Sequence, residues 1–435
     1  MSEPVIINLD TRNVRREASG RAQEIGSDIC VVGAGISGIS AALEAAKLGR
    51  EVVLIDGMPA LGGQAVNSLI GTFCGLFSNG PEPYQVTYGI AEDILDDLGA
   101  EGALHYRRGP VTNVIMYDEI ALSRWVEKAI LAAGVKVIVG AIVRGVERDG
   151  RRIKSLDVST RYGDVKITAT GFVDASGDAV LAWQAGLECR EPAAPVYGSQ
   201  MMIVENINEA GQPTREEMSA RVAERFKNYG MTRGDGFAFV FPGRGMATVN
   251  MTHVETPLEP VAASLCGIEG KRQADKVLEF LKGEFPDGFG EANVRAYGFP
   301  GIRQTRWIVG THHLTVDEVV NEVKFDDAIA RTSWPIELHK DKEGLKWSHF
   351  GPGHMHYVPL GAIIHAEADN LCAAGRCIDG DPAALSSVRV MGPCIATAAA
   401  ATHALDLAGS GSVHQIDIAA LQDRLSDNLN RTDVR

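Results

Sequence analysis

The stretch DICVVGAGISGISAALEAAKLGREVVLID, from Asp28 to Asp56, constrains this chain more than any other. Ile29-Cys30-Val31-Val32 is a short apolar run, suited to a parallel strand covered on both faces. Gly33, Gly35 and Gly38 follow in GxGxxG spacing. The first permits a tight turn, the second lets a pyrophosphate approach the backbone, and the third lets helix and strand pack closely. Ile39 to Leu48 is rich in alanine and leucine with helical periodicity. Such a helix, with Ile36 and Ser37 at its start, points its dipole and first N–H groups at the phosphates. Gly49 closes it, Val52 to Ile55 makes a second strand, and Asp56 stands 18 residues after Gly38, where a carboxylate reaches ribose hydroxyls. Glycine turns also occur for packing alone. Here strand, turn, helix, strand and acid come in order, and the reading is a dinucleotide site.

The segment after Asp56 separates the dinucleotides. Nicotinamide enzymes usually continue into a crossover helix, whereas this chain runs GMPALGGQAVNSLIGTFCGLFSNG. A long glycine-rich loop carrying Gly62 and Gly63 would lie along a larger, extended cofactor; read alone, the pair could be an ordinary turn. Ser123 to Ala133 reads as a helix ended by Gly134, and Val135 to Val139 as a strand. Alternating stretches at Ala141–Glu147, Ile153–Ser159 and Val165–Ala169, separated by Asp149-Gly150 and Tyr162-Gly163-Asp164, predict a three-stranded meander.

From about Gly186 to Phe350 the composition shifts to a loop-rich region with two charged helical stretches, Glu216–Lys227 and Lys271–Lys282. Asn370 to Arg376 returns to a strand and turn, a long alanine-rich helix runs from about Met391 to Leu407, and Asp417 to Asn430 has amphipathic helical spacing. The expected division is an N-terminal arm over 1–25, a nucleotide domain over 26–185 completed by 351–411, an inserted α+β substrate or cap domain over 186–350, and a C-terminal helix over 412–435. The fold class is α/β: a Rossmann-like domain of the glutathione-reductase type, with a β-meander and an insert roofing the reacting ring.

A formal charge of −14 argues against nucleic acid or an anionic membrane as the main partner. No apolar run is long enough to span a bilayer, and Arg15-Arg16 is followed by Glu-Ala-Ser-Gly-Arg instead of the apolar stretch of an export signal. The seven cysteines are scattered, with no CxxC, which speaks against zinc and iron–sulfur sites and for reduced thiols in a cytoplasmic protein. The polar arm points to a homo-oligomer.

The chain resembles the bacterial FAD-dependent oxidoreductases, distant relatives of the fumarate reductase flavoproteins. The resemblance runs from about Asp28 to Leu425. It rests on GAGISGISAALEAAKLG with LIDGMPALGGQAV, GTFCGLFSNG, FVDASGDAVLAWQAG, GIRQTRWIVGTHHLTVDEV, SWPIELH, and NLCAAGRCIDGDPAALSSVRVMGPCIATAAAA. It implies FAD as cofactor. Gly33, Gly35, Gly38, Asp56 and Gly57 would hold the adenosine and pyrophosphate, and Gly62, Gly63 and Gln64 would lie against the ribityl and flavin. Ala175, Ser176 and Gly177 resemble the turn that passes near the adenine side of FAD. Gly375-Arg376 with Ser387, Arg389 and Met391 would pass under the flavin, the helix from Met391 aiming its N-terminus at the ring's pyrimidine edge. Where many relatives have Ile-Pro-Tyr-Arg, this chain has Val358-Pro359-Leu360-Gly361, so no relative's substrate can be borrowed.

Three clusters are candidates to carry the reaction. Arg303 and Arg306 in GIRQTR could clamp a carboxylate or form a salt bridge between domains, with Arg303 preferred for the cleft. Glu337 and His339, two apart in an extended segment, would share one side of the chain, a histidine oriented by a carboxylate suiting general base catalysis; a surface pair is the alternative. His356, in the run His349, His354, His356, Tyr357, is the choice for a pocket-lining histidine, and HxH between glycines does not make a metal site. Cys74 reads as a small apolar filler, and His312-His313 as ordinary structure. The expected reaction is hydride transfer from a small polar metabolite, at a C–OH, C–N or CH–CH position, to flavin N5. The alternatives are reduction of an activated C=C bond and an electron-transfer subunit with no substrate of its own.

Overall fold

The computed structural model describes residues 11–15, 22–109, 111–341 and 344–434. Most of the expected N-terminal arm, residues 1–10 and 16–21, lies outside them. Strand β1 (Gln23–Val32) begins before the apolar run, inside what the composition assigns to the arm. Its polar first residues pair by backbone alone, Gln23 opposite Val165 through Ser27 opposite Ala169. Backbone pairing ignores side-chain polarity, so composition does not reveal where the strand starts.

Helix α1 (Ile36–Lys47) and strand β2 (Val52–Asp56) follow in the expected order. They open a seven-stranded sheet in the order Lys136–Val139, β2, β1, Gly163–Asp174, Arg152–Thr160, Ile142–Asp149, with Leu371–Ala373 joining Gly163–Asp174. The strand Gly163–Asp174 extends well past the expected Val165–Ala169 and does two jobs. Its first half pairs antiparallel with Arg152–Thr160 and completes the meander. Its last residues, Phe172 to Asp174, pair in parallel with Leu371–Ala373 once the meander strand has turned away. The strand near Asn370 thus returns to the first sheet from almost 200 residues later in the chain.

A second sheet, ordered Phe237–Phe241, Met246–Asn250, Ser199–Glu205, Asn293–Gly301, is backed by the helix Pro260–Glu284. It has its own core, built on Met202, Val249, Val277, Phe280 and Phe289. Trp307, Ile308, Leu314, Ile329, Ile336 and Phe350 pack instead into the main core. The strand Ala328–Thr332 pairs with His356–Pro359 across the expected domain boundary near residue 350.

The tail also departs from expectation. Leu421, Leu425 and Leu429 are all buried at helical spacing, but the chain breaks at Leu425 into two short helices, Ile418–Arg424 and Ser426–Asn430. Among the described residues no single helix is long and apolar enough to cross a membrane. The alanine-rich helix Met391–Ala408 is core, and its Ile395 carbonyl accepts from Ser40 of α1 at 3.0 Å while its Thr402 hydroxyl donates to Ala41 O at 3.1 Å.

A Cβ on Gly38 would overlap the Gly33 carbonyl and lie 3.3 Å from Val31. Gly38→Ala is therefore expected to cost about 3 kcal/mol of stability, as overpacking against backbone does. Urea unfolding of the two proteins side by side measures this, and an unchanged midpoint would mean that α1 can slide outward.

Candidate active site

Five segments distant in sequence meet around the start of α1. Gly33 turns with φ +103°, and a Cβ there would strike the Ala175 carbonyl. Helix α2 (Gly63–Asn67) starts from Gly62 at φ +95°. A Cβ on Gly63 would lie 2.5 Å from Gly35 Cα, and one on Gly375 (φ +64°) would strike the Ser37 hydroxyl. Gly35 is different. Its φ of −75° suits any residue, and a Cβ there would find only Gly63 Cα, at 3.9 Å. Neither backbone strain nor the chain's own packing requires a glycine at 35, so its bare backbone is left for a ligand to approach. Beside it, α1 begins without a side-chain cap and without an acidic residue in its first turn, so its own first residues leave their N–H groups to an anion.

Asp56 lies at the end of β2, its Oδ2 accepting from Ala34 N at 2.5 Å and its Oδ1 from Met58 N at 2.7 Å. It pins the glycine turn to the strand end, and Gly57 beside it packs towards Ile142. The turn Ala175-Ser176-Gly177 abuts Gly33, but its donors face inward. Ser176 N–H and O–H go to Asp174 Oδ1, and Gly177 N–H goes to Cys377 Sγ. The turn therefore shapes the cradle with its N–H donors already engaged. Arg376 lies over Gly177, with its Nη1 buried and without a hydrogen-bond partner. The start of the helix Met391–Ala408 is met by protein, since Gly392 N–H donates to Cys74 O at 2.9 Å.

Across the cradle stands a charged cluster. Gln64 links the two, donating through Nε2 to Ile302 O at 3.1 Å. Next to Ile302, Arg303 donates to Tyr197 O at 2.7 Å and to Ser199 Oγ at 2.9 Å. Arg389 donates to Glu337 O at 3.2 Å, and Arg233 pairs with Asp235 and Asn250. Glu337 and His339 share one side of the strand Ile336–Asp341, with Glu337 Oε1 at 2.9 Å from His339 Nε2. His339 Nδ1 lies 2.9 Å from His253 Nε2, and the His253 ring stacks on Tyr197.

Burial holds the His339 pKa well below the usual histidine range, and Arg303, Arg233 and Arg389 push it the same way. A neutral ring bonded to a carboxylate carries its proton on Nε2, so Nδ1 accepts from His253. With both nitrogens committed and the side chain fully enclosed, His339 cannot be the base that meets a substrate. The sequence reading has the histidine as the base and the carboxylate orienting it; in the structure Glu337, whose side chain keeps 20% of its exposure, is the reachable end of the pair. Arg303 likewise has its proton affinity drawn well down by burial, with Arg389 and Arg233 adding to the effect. Arg233 and His253 had no local sequence signal and enter only through the fold.

His356 is not carried forward as catalytic. It is fully buried, Nδ1 lies 3.0 Å from His354 Nε2, and Nε2 lies 2.8 Å from Ser387 Oγ. Ser387, expected under the flavin, donates its hydroxyl to Trp334 O at 2.5 Å and so completes an internal brace. Arg306 stacks on Trp183 and pairs with Glu191 at 3.7 Å. His312 and His313 bond Glu318 and Asp379. Burial pushes the Cys74 thiol up to about 12, leaving it protonated. Leu360 and Gly361 are buried, with Gly361 hard against His312, so the segment lacking the relatives' Tyr-Arg pair is core here. Among the described residues no three His, Cys, Asp or Glu side chains converge as metal ligands would.

The sequence profile of FAD dependent oxidoreductases matches residues 28–425. The chain belongs to this family. Its cofactor is FAD, and the bare Gly35, the uncapped start of α1 and the unpartnered Arg376 fit an extended, anionic molecule at the cradle. A comparison with curated proteins gives no match. Similar solved structures include a geranylgeranyl bacteriochlorophyll reductase-like protein of Thermoplasma acidophilum, at 14% identity and a TM-score of 0.45, covering 94% of this chain and 86% of that one. A triple mutant of the flavin-dependent brominase Bmp2 matches at 13% and 0.47, covering 92% and 84%. PqsL of P. aeruginosa, in complex with 2-aminobenzoylacetate, matches at 15% and 0.43, covering 92% of each.

Burial, with His354 adding, pushes the His356 pKa down to about 3. The unfolded chain takes up this proton as pH falls below about 6.5 and the folded chain does not, so stability is lost on acidification between those values, by about 1.4 kcal/mol per pH unit for this group. His356→Gln is expected to flatten the fall in unfolding free energy between pH 6.5 and pH 4.5. Equal slopes in the two proteins would show that folded His356 is protonated in that range.

Proposed function

We propose that this FAD-dependent oxidoreductase oxidises a small carboxylate-bearing metabolite, removing a hydride from a carbon that carries a hydroxyl or amino group. The observation that supports this most is the pairing, on the side of the cradle reached through Gln64, of Arg303 with Glu337 held by His339 and His253. FAD, when bound, supplies the two-electron acceptor chemistry.

The chain's residues would divide the rest of the work. Arg303 has five N–H donors and directs one each at Tyr197 O and Ser199 Oγ, which fixes the guanidinium plane and leaves donors for a substrate carboxylate. Arg233, Arg303 and Arg389 outnumber Glu337 and Asp235, so the cluster favours an anionic substrate. Glu337 takes the proton from the substrate's O–H or N–H as the hydride leaves carbon. His339 is a positioning residue, donating to Oε1, while Trp334 Nε1 reaches Oε2 at 3.4 Å, a long contact that leaves that oxygen room to accept from a substrate.

One observation favours a second reading, reduction of an activated C=C bond. Burial and two neighbouring arginines make Arg303 a stronger acid than an ordinary arginine, which suits a proton donor. Anaerobic mixing distinguishes the two: bleaching of the oxidised holoenzyme by 2-hydroxy or 2-amino acids supports the oxidation, and recolouring of the reduced holoenzyme by 2-enoates supports the reduction. A holoenzyme inert to both would overturn both and leave an electron-transfer subunit. In the oxidative case Glu337→Gln is expected to slow bleaching by about 10²- to 10⁴-fold while flavin content stays unchanged. Bleaching at the wild-type rate would remove Glu337 from the role of base.

A further inference from the structure

A cavity of about 210 Å³ lies between the edge strands Leu104–Arg108 and Phe237–Phe241 and the start of the helix Arg215–Arg225. None of its lining residues belongs to the cradle or to the charged cluster. Met116, Met218, Val240 and Phe237 give it an apolar wall, and His105, Arg107 and Arg215 give it a basic rim. The two guanidiniums rest on aromatic rings, Arg107 over Phe239 at 5.1 Å and Arg215 over Phe237 at 4.6 Å. Stacking holds a guanidinium by its face and leaves its N–H groups pointing outward in the plane.

Among the described residues neither arginine has a carboxylate at ion-pair distance. Of the two acids beside Arg215 in the first turn of that helix, Glu217 folds back onto Thr214 in a capping box, and neither it nor Glu216 pairs with Arg215. The two arginines are close enough to feel each other, and burial together with Arg215 lowers the proton affinity of Arg107. In a chain with 56 acidic against 42 basic residues, two guanidiniums with no acid at ion-pair distance, held by stacking at the mouth of an apolar cavity, offer complementary charge to an anion from outside.

We propose that this cavity binds a compact organic anion with an apolar body, an aryl or short alkyl carboxylate, whose charge lies between Arg107 and Arg215 and whose body meets Met218, Val240 and Phe237. The site is separate from the one proposed for the reaction, so the two stand or fall independently.

Calorimetric titration of the holoenzyme with sodium benzoate tests it, with benzyl alcohol as the uncharged counterpart. Saturable benzoate binding is expected, at least about tenfold weaker for benzyl alcohol and at least about tenfold weaker in Arg107→Gln and in Arg215→Gln. Arg215 is exposed, so R215Q does not endanger the fold, and unchanged flavin content and thermal midpoint check both variants. No benzoate binding, binding that neither variant weakens, or binding abolished by Arg303→Gln but not by R107Q or R215Q would overturn the proposal.

Discussion

The site depends on how closely the first turn of α1 lies on the backbone around it. Gly38 sits on the Gly33 carbonyl, Gly33 on Ala175, Gly63 on Gly35 and Gly375 on Ser37, each at a distance that excludes a side chain. These contacts bring four segments, from residue 33 to residue 375, to the carboxyl ends of parallel strands, the place where open α/β sheets bind their ligands. Three of the contacts, at Gly38, Gly33 and Gly63, are to backbone, so no neighbouring side chain can rotate to relieve a methyl group added there. Gly35 is not explained by this crowding, and its bare backbone suits the close approach of a ligand.

The charged cluster is costly by comparison. Three guanidiniums and a neutral histidine are partly or wholly withdrawn from water beside two carboxylates, an arrangement that is stable only when the polar atoms find partners. Arg303 is held by a carbonyl and a hydroxyl, His339 by Glu337 and His253, and Arg389 by the Glu337 carbonyl. What remains unneutralised is positive charge and one reachable carboxylate. That surplus, more than the identity of any single residue, is what the proposed anionic substrate rests on. The Arg107–Arg215 pair follows the same logic, except that stacking on phenylalanine replaces the hydrogen bonds.

The amino-acid sequence by itself determined the strand, glycine turn, helix and acid from Ile29 to Asp56, the meander, the late return to the sheet near Asn370 and the family. These are local patterns: alternation, helical periodicity and glycine spacing are written in consecutive residues. The nearness of Glu337 to His339 was legible for the same reason, since residues two apart on a strand share a side. Only the tertiary structure decided which of the pair is reachable, because that depends on His253 closing one ring nitrogen from 86 residues away. It also turned His356 and Ser387 into an internal brace, limited the separately packed core to one part of the inserted stretch, and broke the tail at Leu425. Burial, charge surplus and the partners of a ring nitrogen are properties of the surroundings, and residues far apart in sequence become surroundings only when the chain has folded.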